Sequence, residues 1–116
     1  MQTDPLVRRI AEEQRRALER ADRLRALLPR AVELLQKRGA TRVVLFGSLA
    51  TGVDPHAGTG VDLCVHGLSF EDCADVLLEL EALFGSQVDL VHAESAGLRL
   101  LRRVARQGKE LTHVAR

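Results

Sequence analysis

The chain has 116 residues, 46% apolar and 28% charged, which suits one globular domain and excludes a disordered chain. No apolar run reaches the roughly 20 residues of a membrane span. Met1-Gln2-Thr3-Asp4-Pro5 leads into a charged stretch rather than the apolar core of a secretion signal. Cys64 and Cys73 fit no CxxC or zinc spacing, so they read as idle thiols in a reducing compartment. Three Phe without Trp or Tyr leave no stacking platform for single-stranded nucleic acid, and a net charge of +1 gives no general polyanion field. The expectation is one cytoplasmic domain over 1–116, with a helical segment at 1–38 and a sheet-containing core at 39–116.

The small net charge conceals a division along the chain. Residues 1–38 carry ten basic against six acidic side chains, and residues 39–94 carry Arg42 against nine acids. Residues 95–116 carry six basic side chains against Glu110. Two basic ends flank an acidic middle, a pattern of solvated helix faces or of surfaces for oppositely charged partners.

From Asp4 to Lys37 the spacing predicts helix. Ile10, Gln14, Ala17, Ala21, Leu24, Leu28, Ala31 and Leu35 recur at steps of four and three, a shallow close-packing seam. Such a seam suits a partner helix or a second copy of the chain, so a homo-oligomer is one expectation. Pro29 lacks an N–H and predicts a break or kink, giving two helices, and Gly39 should end the second. Arg42–Phe46 reads as a buried strand that runs into Gly47. Residues 53–59 carry turn chemistry, and Val61–Val65 reads as the second strand. Ser69 should cap a helix to about Phe84, with Asp72 in the capping-box position and Gly85 as its stop. Gln87–Val91 reads as the third strand, and Ser95 should open a last helix that Gly108 stops. The expected fold is α+β, a small mixed sheet flanked by helices with a long N-terminal helical extension.

The chemistry concentrates at Gly47-Ser48-Leu49-Ala50-Thr51-Gly52. A strand ending in Gly-Ser frees N–H groups and a hydroxyl for phosphate oxygens. A P-loop needs Lys after its second glycine, but Val53 follows Gly52. A dinucleotide fingerprint needs a further glycine and a full helix, which the loop around Pro55 forbids. The remaining arrangement is a Gly-Ser turn combined with carboxylates on later strands. Asp62 and Asp89 both stand within Val-Asp-Leu, in the second and third strands. A carboxylate inside an apolar strand is costly unless a cation, a donor or water meets it. His56, His66, His92 and His113 share no ligand spacing and read as surface or strand-end histidines. Arg99, Arg102, Arg103 and Arg106 recur at helical spacing, as a solvated face or as a surface for phosphates or an acidic partner.

Gly47-Ser48, the strand-borne Asp62 and the later Asp89 resemble the minimal nucleotidyltransferase (MNT) domains of the DNA polymerase beta-like superfamily. The likeness runs from about Val43 to the C-terminus. It implies that Gly47 and Ser48 hold the tail of a nucleoside triphosphate, with ATP the expected one. It implies that Asp62 and Asp89 are catalytic and hold Mg²⁺, with Asp89 assisting the attacking hydroxyl. The family places an Asp-x-Asp pair on the second strand, and here Gly60 stands where its first Asp belongs. Residues two apart on a strand share a face, so Gly60 removes one of two carboxylates from the same metals. Asp54 or His56 on the loop are the remaining side chains that can take its place. The family also often carries Arg where Thr51 stands.

The resemblance implies transfer of a nucleoside monophosphate from the triphosphate to a hydroxyl of a partner protein, as in MNT antitoxins acting on HEPN-domain toxins. Gly60 should weaken that activity and leave Mg²⁺ binding weak or absent. The alternative is an inactive binding module that neutralises or scaffolds a HEPN-type partner. Nucleic-acid binding ranks third, and no membrane is involved. An extended strand at Gly60 would let Gly60→Asp restore the missing carboxylate with little steric demand.

Overall fold

The structure is a computed structural model that describes residues 4–52 and 60–112. Helix α1 runs without interruption over Pro5–Lys37. Asp4 caps it by accepting from the Leu6 N–H at 2.7 Å, and Pro5 sits where a missing N–H costs nothing. Its end carries paired reverse hydrogen bonds, Gly39 N–H to Gln36 O and Ala40 N–H to Leu35 O, both 3.0 Å. Gly39 takes φ 110° there, which a side chain would resist.

Pro29 does not divide the helix, contrary to the sequence-based expectation. One backbone bond is lost at Pro29, but Leu24, Leu28, Ala31 and Leu35 on either side are all buried in a single core. Burial of that stripe outweighs a defect of about 3 kcal/mol on an exposed face. The seam predicted from the sequence is buried only from Ala17 onward. Leu6, Val7 and Ile10 remain 61%, 55% and 47% exposed on an overhanging first third.

Strand β1 (Arg42–Phe46) leads into the one-turn helix α2 (Ser48–Thr51), and β2 (Val61–His66) follows. Helix α3 (Phe70–Phe84) is capped by the Ser69 hydroxyl, which accepts from the Asp72 N–H at 3.0 Å, and ends at left-handed Gly85. Strand β3 (Val88–His92) precedes a short 3₁₀ turn, and α4 (Leu98–Gln107) follows. Ser95 does not open α4. Its hydroxyl is engaged by His92 Nδ1 at 2.8 Å, and the helix starts after Gly97 without a side-chain cap. A two-residue strand β4 (Lys109–Glu110) completes a sheet of order β3-β2-β1-β4. Its Lys-Glu sequence has no alternation to read. It is held by pairing with β1 and by Arg42 Nε donating to Glu110 at 2.6 Å.

Strands β1 and β2 are antiparallel, whereas β2 and β3 are parallel. The two-residue period then sorts the side chains onto two faces. Val43, Leu45, Val61, Leu63 and Val65 meet α1 and α3 in the main core. Val44, Phe46, Cys64 and Val91 face α4 and its Val104. An ion pair between Arg38 and Glu79 ties the end of α1 to α3. Cys64 and Cys73 are free and buried, and burial pushes both thiols up from their ordinary range. Among the described residues no helix is long and apolar enough to cross a membrane.

Replacing Pro29 with Ala should restore the missing helix bond while adding freedom to the unfolded chain. The net expectation is a gain of about 2 kcal/mol, read as a higher denaturation midpoint at unchanged slope. An unchanged or lowered midpoint would show that the chain does not need a regular helix at that position.

Candidate active site

The site is built where β1 ends. Phe46 is the register partner of Asp62, and Asp62 in turn is the register partner of Asp89. Directly paired residues share a face and lie on strands about 4.8 Å apart, so Phe46, Asp62 and Asp89 form one row. The two Val-Asp-Leu segments are thus in identical register, and their carboxylates lie side by side on the α4 face. Asp62 is half-buried and Asp89 is exposed at the outer edge.

Gly47 is demanded on two counts. Its φ of 75° and ψ of −163° belong to a region that side chains avoid. A Cβ there would also lie 2.2 Å from the Asp62 Oδ2 atom. The backbone therefore turns against the carboxylate and opens α2 at once. Leu49 and Ala50 anchor the turn in the core, and Arg25 Nε of α1 donates to the Leu49 carbonyl at 3.2 Å. At the start of such a turn the Ser48 and Leu49 N–H groups have no partner within the helix, and the Ser48 side chain is partly exposed.

Two residues of α4 join the row. Gln107 Oε1 accepts from the Gly47 N–H at 3.2 Å and from Arg103 Nε at 3.3 Å. The Arg103 guanidinium lies 5.6 Å from the centroid of the Phe46 ring. Burial raises the pKa of Asp62, the neighbouring Asp89 charge raises it further, and Arg103 opposes both. The sequence marked Arg103 only as one of a helical stripe and did not mark Gln107 as part of the site. Its signal was the spacing of one helical turn from Arg103, in a helix ending beside the Gly-Ser turn.

The other sequence candidates fall elsewhere. Asp54, His56 and His113 lie outside the described residues. His92 is structural: its Nε2 bonds to the Leu68 carbonyl at 2.8 Å, and its ring stands edge-on to Phe70. His66 ends β2 at the far side of the sheet, opposite Arg42. Gly60 corrects the expectation of free space. A Cβ on Gly60 would lie 2.5 Å from the backbone carbonyl of Gln87, which itself accepts from the Val61 N–H at 3.1 Å. Among the described residues no group of three or more His, Cys, Asp and Glu is placed to hold a metal ion.

Residues 30–115 match the family described as "Polymerase beta, Nucleotidyltransferase". A solved structure of a minimal nucleotidyltransferase is 33% identical, with a TM-score of 0.69 over 78% of this chain and 95% of that one. A chain of a toxin–antitoxin complex determined with AMP-PNP is 28% identical, with a TM-score of 0.64 over 72% of this chain and 70% of that one. A chain of a mutant MntA–HpeT toxin–antitoxin complex is 26% identical, with a TM-score of 0.66 over 74% and 73% of the two chains. No match was found among curated proteins. With the Gly47 turn and the Asp62–Asp89 row on a mixed sheet of this kind, the chain belongs to the polymerase beta nucleotidyltransferases as a minimal nucleotidyltransferase domain.

Proposed function

We propose that this domain is an antitoxin-type nucleotidyltransferase of reduced activity, which transfers a nucleoside monophosphate from ATP to a hydroxyl of a HEPN-type partner protein. The observation that carries the reading is the register of Asp62 with Asp89 beside Gly47. It supplies two adjacent carboxylates at the mouth of a phosphate-binding turn. The similarity to chains of toxin–antitoxin complexes supports the choice of partner.

The donor set is one of hard oxygens, which suits Mg²⁺. Two carboxylates fit an ion that completes its shell with phosphate oxygens and water, not one enclosed by protein. When bound, such an ion neutralises charge on the phosphates during transfer. Asp62 is the residue to hold it, sharing it with Asp89 at the outer edge. The Ser48 hydroxyl and the first N–H groups of α2 orient the phosphate tail. Asp89, exposed where an acceptor enters, takes the proton of the attacking hydroxyl as its oxygen bonds to the α-phosphorus and pyrophosphate leaves. Gly60 contributes no carboxylate, which is the reason for the reduced rate.

A second reading, neutralisation of the partner by binding alone, is favoured by one specific observation. The Gln87 carbonyl occupies the space a side chain at Gly60 would need, so the local backbone has settled around the absence of that carboxylate.

Transfer of label from ATP carrying it on the α-phosphate, onto a HEPN-type partner, should be slow. Asp62→Asn and Asp89→Asn should each lower it by about 10²-fold. Transfer indifferent to both substitutions would remove the catalytic reading. Partner neutralisation that survives in both inactive variants would establish the binding role instead.

Gly60→Asp should lower thermal stability and fail to raise the transfer rate, because its Cβ meets backbone rather than a movable side chain. A faster variant would show that the ends of β2 and β3 part readily.

The ionisation of Asp62 also affects stability. Its folded pKa lies above the ordinary 3.8, so the fold keeps this proton longer than the unfolded chain does. That contribution to stability is complete below the unfolded value and is lost as pH rises through the folded one. Asp89→Asn removes one of the two causes, so the Asp62 midpoint should move down and the pH dependence flatten. Carboxyl-carbon NMR titration reads this directly, and an unmoved midpoint would separate the two carboxylates.

A further inference from the structure

Arg99, Arg102, Arg103 and Arg106 project from one narrow arc of α4, because steps of three, one and three return to the same side of a helix. Val104, on the opposite side, is buried against the sheet. An open groove of about 670 Å³ runs along the arc, lined by these four arginines and the Gly97–Leu98 start of the helix. Arg103 belongs both to this groove and to the row of Phe46, Asp62 and Asp89.

We propose that the α4 groove is an anion-binding subsite for the terminal phosphates of the nucleoside triphosphate, with Arg103 joining it to the Gly47–Asp62 centre. The proposal rests on the nucleotidyl-transfer reading above and names the residues that hold the leaving pyrophosphate.

Three observations carry it. The Arg103 plane is held by the Phe46 ring and by one hydrogen bond from Nε to Gln107, which leaves its Nη donors without a hydrogen-bond partner among the described residues. A guanidinium held by its Nε edge presents the fork that fits phosphate oxygens. Gln107 also receives the Gly47 N–H, so the phosphate-binding turn and the arginine share one amide. Finally, residues 47–52 hold no Lys or Arg, so a side-chain cation for the tail has to come from another element. Arg103 is the cation whose charge acts on Asp62. Arg99, Arg102 and Arg106 continue the same positive surface along the α4 groove.

The test is calorimetric binding of ATP, AMP and inorganic tripolyphosphate, each with Mg²⁺, to the wild-type chain and to Arg103→Gln and Arg103→Lys. Arg8→Gln removes the same charge from the overhang of α1. It lies 17 residues before Arg25, and therefore roughly 25 Å along the helix from the contact with Leu49. Arg103→Gln should weaken ATP and tripolyphosphate by about tenfold, leave AMP within about twofold, and be partly rescued by Lys. Equal weakening of AMP, or an equal effect of Arg8→Gln, would overturn the proposal in favour of a structural or general charge role. ATP binding that survives intact in Arg103→Gln would overturn the subsite and leave nucleotidyl transfer standing. Failure of the wild-type chain to bind either ATP or tripolyphosphate would overturn both.

Discussion

The close approach of Gly47 to the Asp62 carboxylate is the constraint on which the site depends. Phe46 and Asp62 are the last pair of an antiparallel ladder, and the chain turns at the next residue, Gly47, directly against the carboxylate. Only a residue without a Cβ passes there, and only glycine adopts its φ of 75° and ψ of −163° at low cost. The turn this forces throws Ser48 to the start of a helical turn and buries Leu49 and Ala50 beneath α1. The Gly-Ser turn, its place beside the carboxylate and part of the hydrophobic core go together with this one contact.

The sheet divides its two faces between stability and chemistry. The face toward α1 and α3 is closed by Leu24, Leu28, Leu35, Val76 and Leu80, which join the inward residues of β1 and β2 in one apolar cluster. On the other face α4 covers Val44, Phe46 and Cys64 and leaves the row of Asp62 and Asp89 beyond its edge. A parallel β2–β3 pair in matched register sets two negative charges next to each other, which the fold tolerates because Asp89 is in water and Arg103 lies near Asp62. The division of charge along the chain acquires a structural meaning here. Basic α4 is folded back onto carboxylates from the acidic middle, so a polyanion that approaches them is met by arginines rather than by repulsion alone.

Much of this was legible in the residues. Short β-rich runs, with Gly47 after the first and Gly85 before the third, marked three strands. Ser69 and Gly85 marked both ends of α3, and the matched Val-Asp-Leu segments pointed to a shared face. What was not legible has a physical cause in each case. Pro29 was read as a break or kink because a local rule says so, whereas the helix continues through it and the stripe Leu24, Leu28, Ala31 and Leu35 is buried on both sides. Ser95 offered a good cap, but His92 holds its hydroxyl, a contact that only the folded strand end creates. Strand β4 depends on a partner about 65 residues away in sequence, and two polar residues carry no pattern of their own. Gln107 could not be singled out, because the role of its amide arises only when the end of α4 meets the end of β1.

At Gly60 the absence of a side chain coincides with the absence of space for one. A carboxylate two residues before Asp62 needs room for a Cβ at the mouth of the β2–β3 pair. Here the Gln87 carbonyl fills that room and is tied to the Val61 N–H at 3.1 Å. That hydrogen bond belongs to the first step of the parallel ladder, where Val61 is the register partner of Val88. The next pair of the same ladder is Asp62 and Asp89. The hydrogen bond that starts the ladder of Asp62 and Asp89 thus comes from the same carbonyl that fills the space of a side chain at Gly60. The two adjacent negative charges are compensated by the element that lies across the row. In this fold that element is α4, where Arg103 is fixed between Phe46 and Gln107.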